Sequence, residues 1–467
     1  MSWRTRPRLF VAAAAVVASA LPTAAGAADD VSAAANAATT ELVSVSSEGR
    51  QGNDISGRFS PPDLSADGLV VAFDSQANNL VANDGNGFVD VFAHDRESGI
   101  TELLSVSTNE VQANDDSQNP SADATGDEIA FDSDANNLFP DDRNNARDVF
   151  VRDRVAGTTE LISVNNQGRE GNASSSAPDI TADGRFVAFS SNASNLVRGD
   201  TNATTDIFVR DRSRGRIERV NVASDGTEAN LFSGGPSISD DGRYVAFSSF
   251  ADNLVANDDN GTVDVFVHDR STGETFLVSE AADGTSAEGL SAGPAISGDG
   301  SAIAFFSEAA DFVPGDDNGT RDIYVWRRGN GDPSVERVSV SSAEEGANGQ
   351  SSFSQRGSSS LPDISRDGRY VSFDSFADNL VRNDTNEVAD AFRRDVFRGI
   401  TIRVSVSDRE IQANRVSTDT AISADGQVVA FVSQATNLVR GDTNRCPLFP
   451  DFGSCPDVFV RDLRPLG

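Results

Sequence analysis

The chain contains no lysine: all 38 of its basic residues are arginine, set against 72 Asp and Glu, for a formal net charge of −34 over 467 residues. A surface this acidic repels nucleic acid and anionic lipid and attracts cations, so no nucleic-acid binding is expected. Histidine is almost absent as well, with His94 and His268 alone. That shortage argues against Ser-His-Asp chemistry and against lyase sites built on a histidine cluster. Cysteine is limited to Cys446 and Cys455, nine positions apart in an insertion that carries Pro and Phe. In an exported chain such a pair reads as a local disulfide, and two cysteines without a nearby His are too few for a metal centre. After the first 30 residues no apolar run approaches the roughly 20 residues a membrane span requires, so no membrane insertion is expected.

The N-terminus is the exception. Arg4, Arg6 and Arg8 precede an apolar stretch from Leu9 to Leu21, and Ala25-Gly26-Ala27 supplies a small-residue cleavage site. This layout predicts a signal peptide over 1–27, an Ala-rich linker over 28–38, and a secreted or periplasmic mature domain over 39–467. Removal of those three arginines takes the formal charge from −34 to −37.

What the chain has in abundance is one repeated phrase. Asp67-Gly68 with Phe73 recurs as Asp183-Gly184 with Phe189, Asp241-Gly242 with Phe247 and Asp299-Gly300 with Phe305. It continues as Asp367-Gly368 with Phe373 and Asp425-Gly426 with Phe431, while the second copy, Thr125-Gly126 with Phe131, keeps only the glycine. The seven copies are 58 residues apart except for one interval of 68, whose surplus falls in the Gly/Ser/Gln-rich stretch 344–360. Each copy reads as four short strands. In the fourth these are Pro236–Ser239, Arg243–Ser248, Asp264–His268 and Glu274–Ser279, joined by Gly- and Asp-bearing turns.

Strands that are apolar at consecutive positions, such as Tyr244 to Phe247, must be covered on both faces. A propeller blade packed between two neighbours meets that demand, and no helical periodicity separates the strands. The ends of the chain agree. Thr40–Val45 is a fourth-strand sequence with no strands before it, and the seventh copy stops after its third strand, Asp457–Val460. The expected architecture is therefore an all-β, seven-bladed β-propeller of four-stranded antiparallel blades, the last closed by the N-terminal strand. Such closure leaves no open sheet edge.

The phrases Ile238-Ser239-Asp240-Asp241-Gly242-Arg243-Tyr244-Val245-Ala246-Phe247 and Asp264-Val265-Phe266-Val267 resemble the TolB-type, WD-like propeller repeat. The resemblance covers nearly all of the chain from Thr39 to Leu463. It implies an exported propeller used for binding, or one that accompanies an enzyme domain. The α/β domain that precedes the propeller in the Tol-system protein is not visible in this sequence.

The most regular polar feature is D-x-N-x-x-x-D in the connection before each third strand. Its residues are Asp84, Asn86, Asp90; Asp142, Asn144, Asp148; Asp200, Asn202, Asp206; Asp258, Asn260, Asp264; Asp316, Asn318, Asp322; and Asp384, Asn386, Asp390. The seventh copy keeps Asp442 and Asn444 and places its last Asp at Asp457. Closely spaced oxygens suit Ca²⁺, which takes 6–8 oxygen ligands, although the spacing is not that of an EF-hand. The same residues also cap turns through backbone N–H groups, and both readings stand at this level. The histidines exchange with Arg152, Arg210 and Arg461 at one repeat position and are expected to be solvated. A G-x-S-x-G match, Gly289–Gly293, falls in a loop entering a blade rather than at a strand-to-helix elbow.

A site needs asymmetry, and three departures break the repeat: 344–360, 446–455, and Trp326-Arg327-Arg328. Phe353, Phe449 and Phe452 are candidate anchors for a partner. The expectation is a monomeric, non-enzymatic scaffold that binds a protein or a glycan at one mouth of the ring, with Ca²⁺ as a candidate cofactor. The alternatives are a propeller hydrolase or lyase acting on polysaccharide through carboxylates, and an envelope structural protein. Uniform polar residues at the mouths favour binding; a non-repeated acidic cluster favours the enzyme.

Overall fold

The computed structural model describes residues 38–464 apart from 141, 282, 330–332, 353–360 and 445–453. The expected signal peptide, Cys446, Phe353, Phe449 and Phe452 therefore lie outside the described residues. Among the described residues there is no helix. Twenty-eight strands form seven four-stranded antiparallel sheets arranged as the blades of a propeller.

Blade 4 illustrates how the repeat becomes a sheet. Its strands are Ser233–Ile238, Tyr244–Ser249, Asp264–Asp269 and Glu274–Leu277, hydrogen-bonded in chain order. The first strand begins three residues earlier than the sequence reading, because a bulge between Gly234 and Ser237 carries it past Pro236. Proline lacks an N–H, and a bulge is where a strand can dispense with one. The fourth strand ends at Leu277, two residues short of the reading. In the seventh blade, Thr39–Leu42 pairs antiparallel with Asp457–Asp462, Thr39 opposite Asp462 and Leu42 opposite Phe459. The predicted closure is present.

Both faces of the middle strands are covered, as the consecutive apolar residues require: every residue of Tyr244–Ser249 and Asp264–Asp269 is buried. In each blade an aromatic of the second strand faces one of the third, as in Phe247–Phe266 at 5.9 Å and Phe305–Tyr324 at 5.9 Å. Seven hydrophobic clusters follow, each shared between two adjacent blades. A fully buried Phe contributes about 1.5–3 kcal/mol, so the seams hold the ring together.

The antiparallel order places the first-to-second and third-to-fourth turns at one end of the ring. The second-to-third connections and the blade-to-blade connections leave from the other. At the turn end, one residue per blade joins a collar of backbone hydrogen bonds around the channel. Ala66 donates to Ala124 (2.9 Å), Ala124 to Ala182 (3.1 Å), Asp240 to Gly298 (3.0 Å), Gly298 to Arg366 (3.0 Å), Arg366 to Ala424 (3.1 Å) and Ala424 back to Ala66 (3.0 Å). These six links all run from one blade to the next in the same rotational sense; among the described residues the step from Ala182 to Asp240 has no such bond.

Candidate functional site

The repeated D-x-N-x-x-x-D connection is built as a clamp between blades. In the first blade the Asn86 amide donates to Asp90 at 2.8 Å and to the Ala113 carbonyl, on the way to the second blade, at 3.0 Å. The Asn86 side-chain oxygen accepts the Phe88 N–H at 3.0 Å, an Asx turn. Asn144, Asn202, Asn260, Asn318, Asn386 and Asn444 repeat the pair of donations to Asp148, Asp206, Asp264, Asp322, Asp390 and Asp457 and to the following connection. The last Asp of each motif is buried on the third strand, where its second oxygen accepts from a side chain two residues past the fourth strand, such as Ser105 or Ser279. Burial pushes Asp90, Asp148, Asp264 and Asp322 up to about 6 and Asp457 up to about 7. The asparagine thus presents its donor, not its oxygen, to the carboxylate. Among the described residues no group of three or more His, Cys, Asp or Glu is placed to hold a metal ion.

Between the first and last Asp of the motif, most blades insert a further donor. Gln112 donates to Asp84 (2.7 Å) and Asp90 (2.8 Å), Gln412 to Asp384 and Asp390, and Gln51 to Asp442 and Asp457. The Arg219 guanidinium stands 3.8 Å from Asp200 and 3.3 Å from Asp206. Arg337 lies between Asp316 and Asp322, and Arg403 between Asp384 and Asp390. A position-by-position comparison of the seven copies carries this signal; the motif alone does not.

Two sequence expectations are resolved by placement. His94 and His268 are buried, at 3% and 6% exposure, not solvated. Each ring nitrogen Nδ1 bonds a fourth-strand threonine (Thr101, Thr275) whose hydroxyl donates to a carbonyl of the preceding blade, Val45 or Val222. Arg152, Arg394 and Arg461 make the same connection with their guanidinium groups, which is why His and Arg exchange there. Burial pushes both histidines below the ordinary imidazole value. Ser291, the centre of the G-x-S-x-G match, is buried and bonded to Ser307 at 2.9 Å. Equivalent serine pairs occupy the other six blades, so the match is part of the scaffold.

Trp326 is a true break in the repeat. It replaces the histidine or arginine, Val335 replaces the threonine, and among the described residues the His/Arg–Thr link to the preceding blade has no counterpart at this position. A groove of about 430 Å³ opens there, lined by Phe276, Glu280, Trp326 and Arg328 among others.

The two ends of the channel differ. Near the collar a space of about 160 Å³ is lined by Asp63, Asp179, Asp363, Asp240 and Arg366. Asp63, Asp179 and Asp363 each accept an N–H of the next blade, from Ala122 (2.7 Å), Ile238 (2.7 Å) and Ile422 (2.8 Å). Ser121 and Ser237 make the same latch in the second and fourth blades, so the latch itself does not require a charge. At the opposite end emerge the connections containing 344–360 and 446–455, and Cys455 is buried against Ile55 and Phe59. Phe232 and Phe250 also stand at this end, each 46% exposed and in an edge-to-face pair at 6.4 Å. In place of Phe232 the other copies have Ile55, Asp116, Ser174, Leu290, Gln350 and Val416, and in place of Phe250 they have Gln76, Asp134, Asn192, Glu308, Phe376 and Gln434, so only the fourth blade has an aromatic at both positions. The sequence reading missed this pair because it sits within the regular repeat rather than in an insertion.

No protein-family model and no curated relative matches the chain. Among solved structures, the β-propeller domain of the trilobed protease from Pyrococcus furiosus aligns over 88% of this chain and 96% of its own at 11% identity, with a TM-score of 0.50. That domain is described as having an open velcro topology, whereas here the first strand closes the ring. An oligogalacturonate lyase in complex with manganese covers 91% of both chains at 11% identity and a TM-score of 0.48. TolB from Acinetobacter baumannii aligns over 84% of this chain and 76% of its own at 16% identity and a TM-score of 0.37. The likeness is one of fold. The class is the β-propeller.

Proposed function

We propose that the chain is an exported, non-enzymatic propeller with TolB-type repeats that binds a protein or glycan ligand at the mouth carrying the long connections. The exposed Phe232–Phe250 pair carries this reading: two aromatics stand in water as an edge-to-face pair that none of the other six copies repeats at both positions. Aromatic side chains at a rim supply contact area at low entropic cost, and they stack equally well on sugar faces and on peptide. The Cys446–Cys455 disulfide is part of the proposal, since it would fix the insertion at the same mouth.

The test is a screen of oligosaccharide and peptide arrays with the wild-type chain and with a Phe232→Ser/Phe250→Ser variant. Ligands held by the wild type and weakened at least tenfold in a variant of unchanged melting temperature support the mouth assignment. Equal binding by both refutes it.

A hydrolase or lyase acting on polysaccharide is the second reading, and one observation favours it. Asp419 has no counterpart in the other copies and is buried near Asp74, whose position is Asp in the second and sixth blades too; burial pushes Asp74 up to about 6, and burial with the charge of Asp74 pushes Asp419 up to about 7. A carboxyl in that range can donate a proton at neutral pH. Appearance of reducing ends or unsaturated products in the same screen would replace the binding reading with this one.

A further inference from the structure

Five of the seven blades place an N–H donor between the two carboxylates of the D-x-N-x-x-x-D connection, and the fourth does not. Ser286 stands where the first blade has Gln112, and Leu277 where the third, fifth and sixth have Arg219, Arg337 and Arg403. Asp258 is nonetheless only 9% exposed. Among the described residues its carboxylate has no hydrogen-bond or ion-pair partner, and after burial its strongest influence is the charge of Asp264, followed by Asp252 and Asp259.

The acceptor capacity of Asp264 is also only partly used. In the first blade Asp90 Oδ2 accepts two bonds, from Asn86 and from Gln112. In the fourth, the equivalent Asp264 Oδ2 accepts only from Asn260, while Oδ1 accepts from Ser279. A carboxylate oxygen has two lone pairs, so one on Oδ2 is left on the side where the missing donor would stand. Two buried carboxylates side by side with nothing positive between them are costly, and other copies of this chain relieve that cost with a guanidinium at the same spot. The second blade lacks the donor too. There Glu170 replaces the glutamine and accepts the Arg143 N–H at 3.1 Å; Asp142 is half-buried as a whole, although its Oδ1 is buried without a partner, and the fourth blade is set apart by the deeper burial of Asp258.

We propose that a hard divalent cation of the calcium class occupies the donor's place in the fourth blade, bridging Asp258 and Asp264. Oxygen ligands of this charge suit Ca²⁺, with water completing a shell of 6–8. The site is independent of the ligand at the mouth. It is a bridge of two carboxylates, distinct from a cluster of three or more.

The experiment uses the full chain, stripped with EDTA and held at pH 8, where both carboxyls are ionised. CaCl₂ is then added, with melting temperature and titration calorimetry as readouts. The wild type is expected to melt higher by roughly 3 °C at saturating Ca²⁺. Asp258→Asn should bind one Ca²⁺ fewer and lose that rise. Ser286→Gln, which copies the amide of the first blade, should lose it as well while melting no lower than the wild type without Ca²⁺. Because this second variant keeps both carboxylates and supplies a donor, its result does not depend on whether Asp258→Asn folds. A wild type indifferent to Ca²⁺, with Asp258→Asn melting higher at pH 8, would mean that the pair shares a proton, and the proposal falls. Retention of the full response in both variants would overturn it too.

Discussion

At the scale of single residues, the chain's polar repeats are satisfied by partners that differ from blade to blade. Gln112 holds Asp84 and Asp90 apart with one amide. Gln112→Leu should leave two largely buried carboxylates facing each other, at about 1–3 kcal/mol. The loss should be larger at pH 8 than at pH 5, where protonation relieves the repulsion; urea unfolding at the two pH values measures the difference. The tip glycine is constrained for another reason. Gly242 has φ of +70°, and a Cβ there would lie 2.4 Å from the Phe186 ring of the preceding blade. Gly242→Ala is therefore expected to destabilise by about 1–3 kcal/mol in the same assay, because backbone and packing both object. Gly126 survives in the copy that lost its Asp, and the loss is tolerated because Asp123 supplies the turn's carboxylate to Thr125 instead. The recurring Gly and Phe were legible in the sequence because each answers a local demand. The burial of His94 and the donor role of Asn86 were not, since both depend on what the neighbouring blade offers.

At the scale of elements, the N-terminal strand is the piece on which closure depends. It covers the edge of Asp457–Asp462 and, with Val43, seals the seam that includes Val458 and Val460. A chain beginning after Val45 should expose that edge and associate; light scattering and size exclusion at increasing concentration would detect it. A truncated chain that stays monomeric with an unchanged melting temperature would refute the role given to this strand. The closure was readable because a lone fourth-strand phrase at one end matched a missing fourth strand at the other. The groove beside Trp326 was not readable in this way. The sequence marks Trp326 as unusual, but the opening arises from three simultaneous changes across two blades: Trp326 for an arginine, Val335 for a threonine, and Glu280 for the valine found in other copies.

At the scale of the whole molecule, buried acid governs the response to pH. Burial pushes Asp63 up to about 8, Asp419 and Asp457 to about 7, and Asp74, Asp132, Asp179 and Asp363 to about 6. In the unfolded chain these groups titrate near 3.9. Between pH 4 and 8 the folded ring binds more protons than the unfolded chain, so stability falls as pH rises through that window. The carboxylates held low by arginine, Asp211 and Asp269, lose their contribution only in stronger acid. The melting temperature in EDTA should therefore be higher at pH 5 than at pH 8; a higher value at pH 8 would show that other charges outweigh these. The collar at the turn end bears on something other than stability. A ring of seven residues, one per blade, joined by N–H to carbonyl links at six of its seven steps, has a circumference set by the number of blades. A duplicated or deleted 58-residue unit would stretch or crowd every link at once, so the collar acts as a counter. It makes the number seven a discrete property of this chain, changeable only by rebuilding the whole ring.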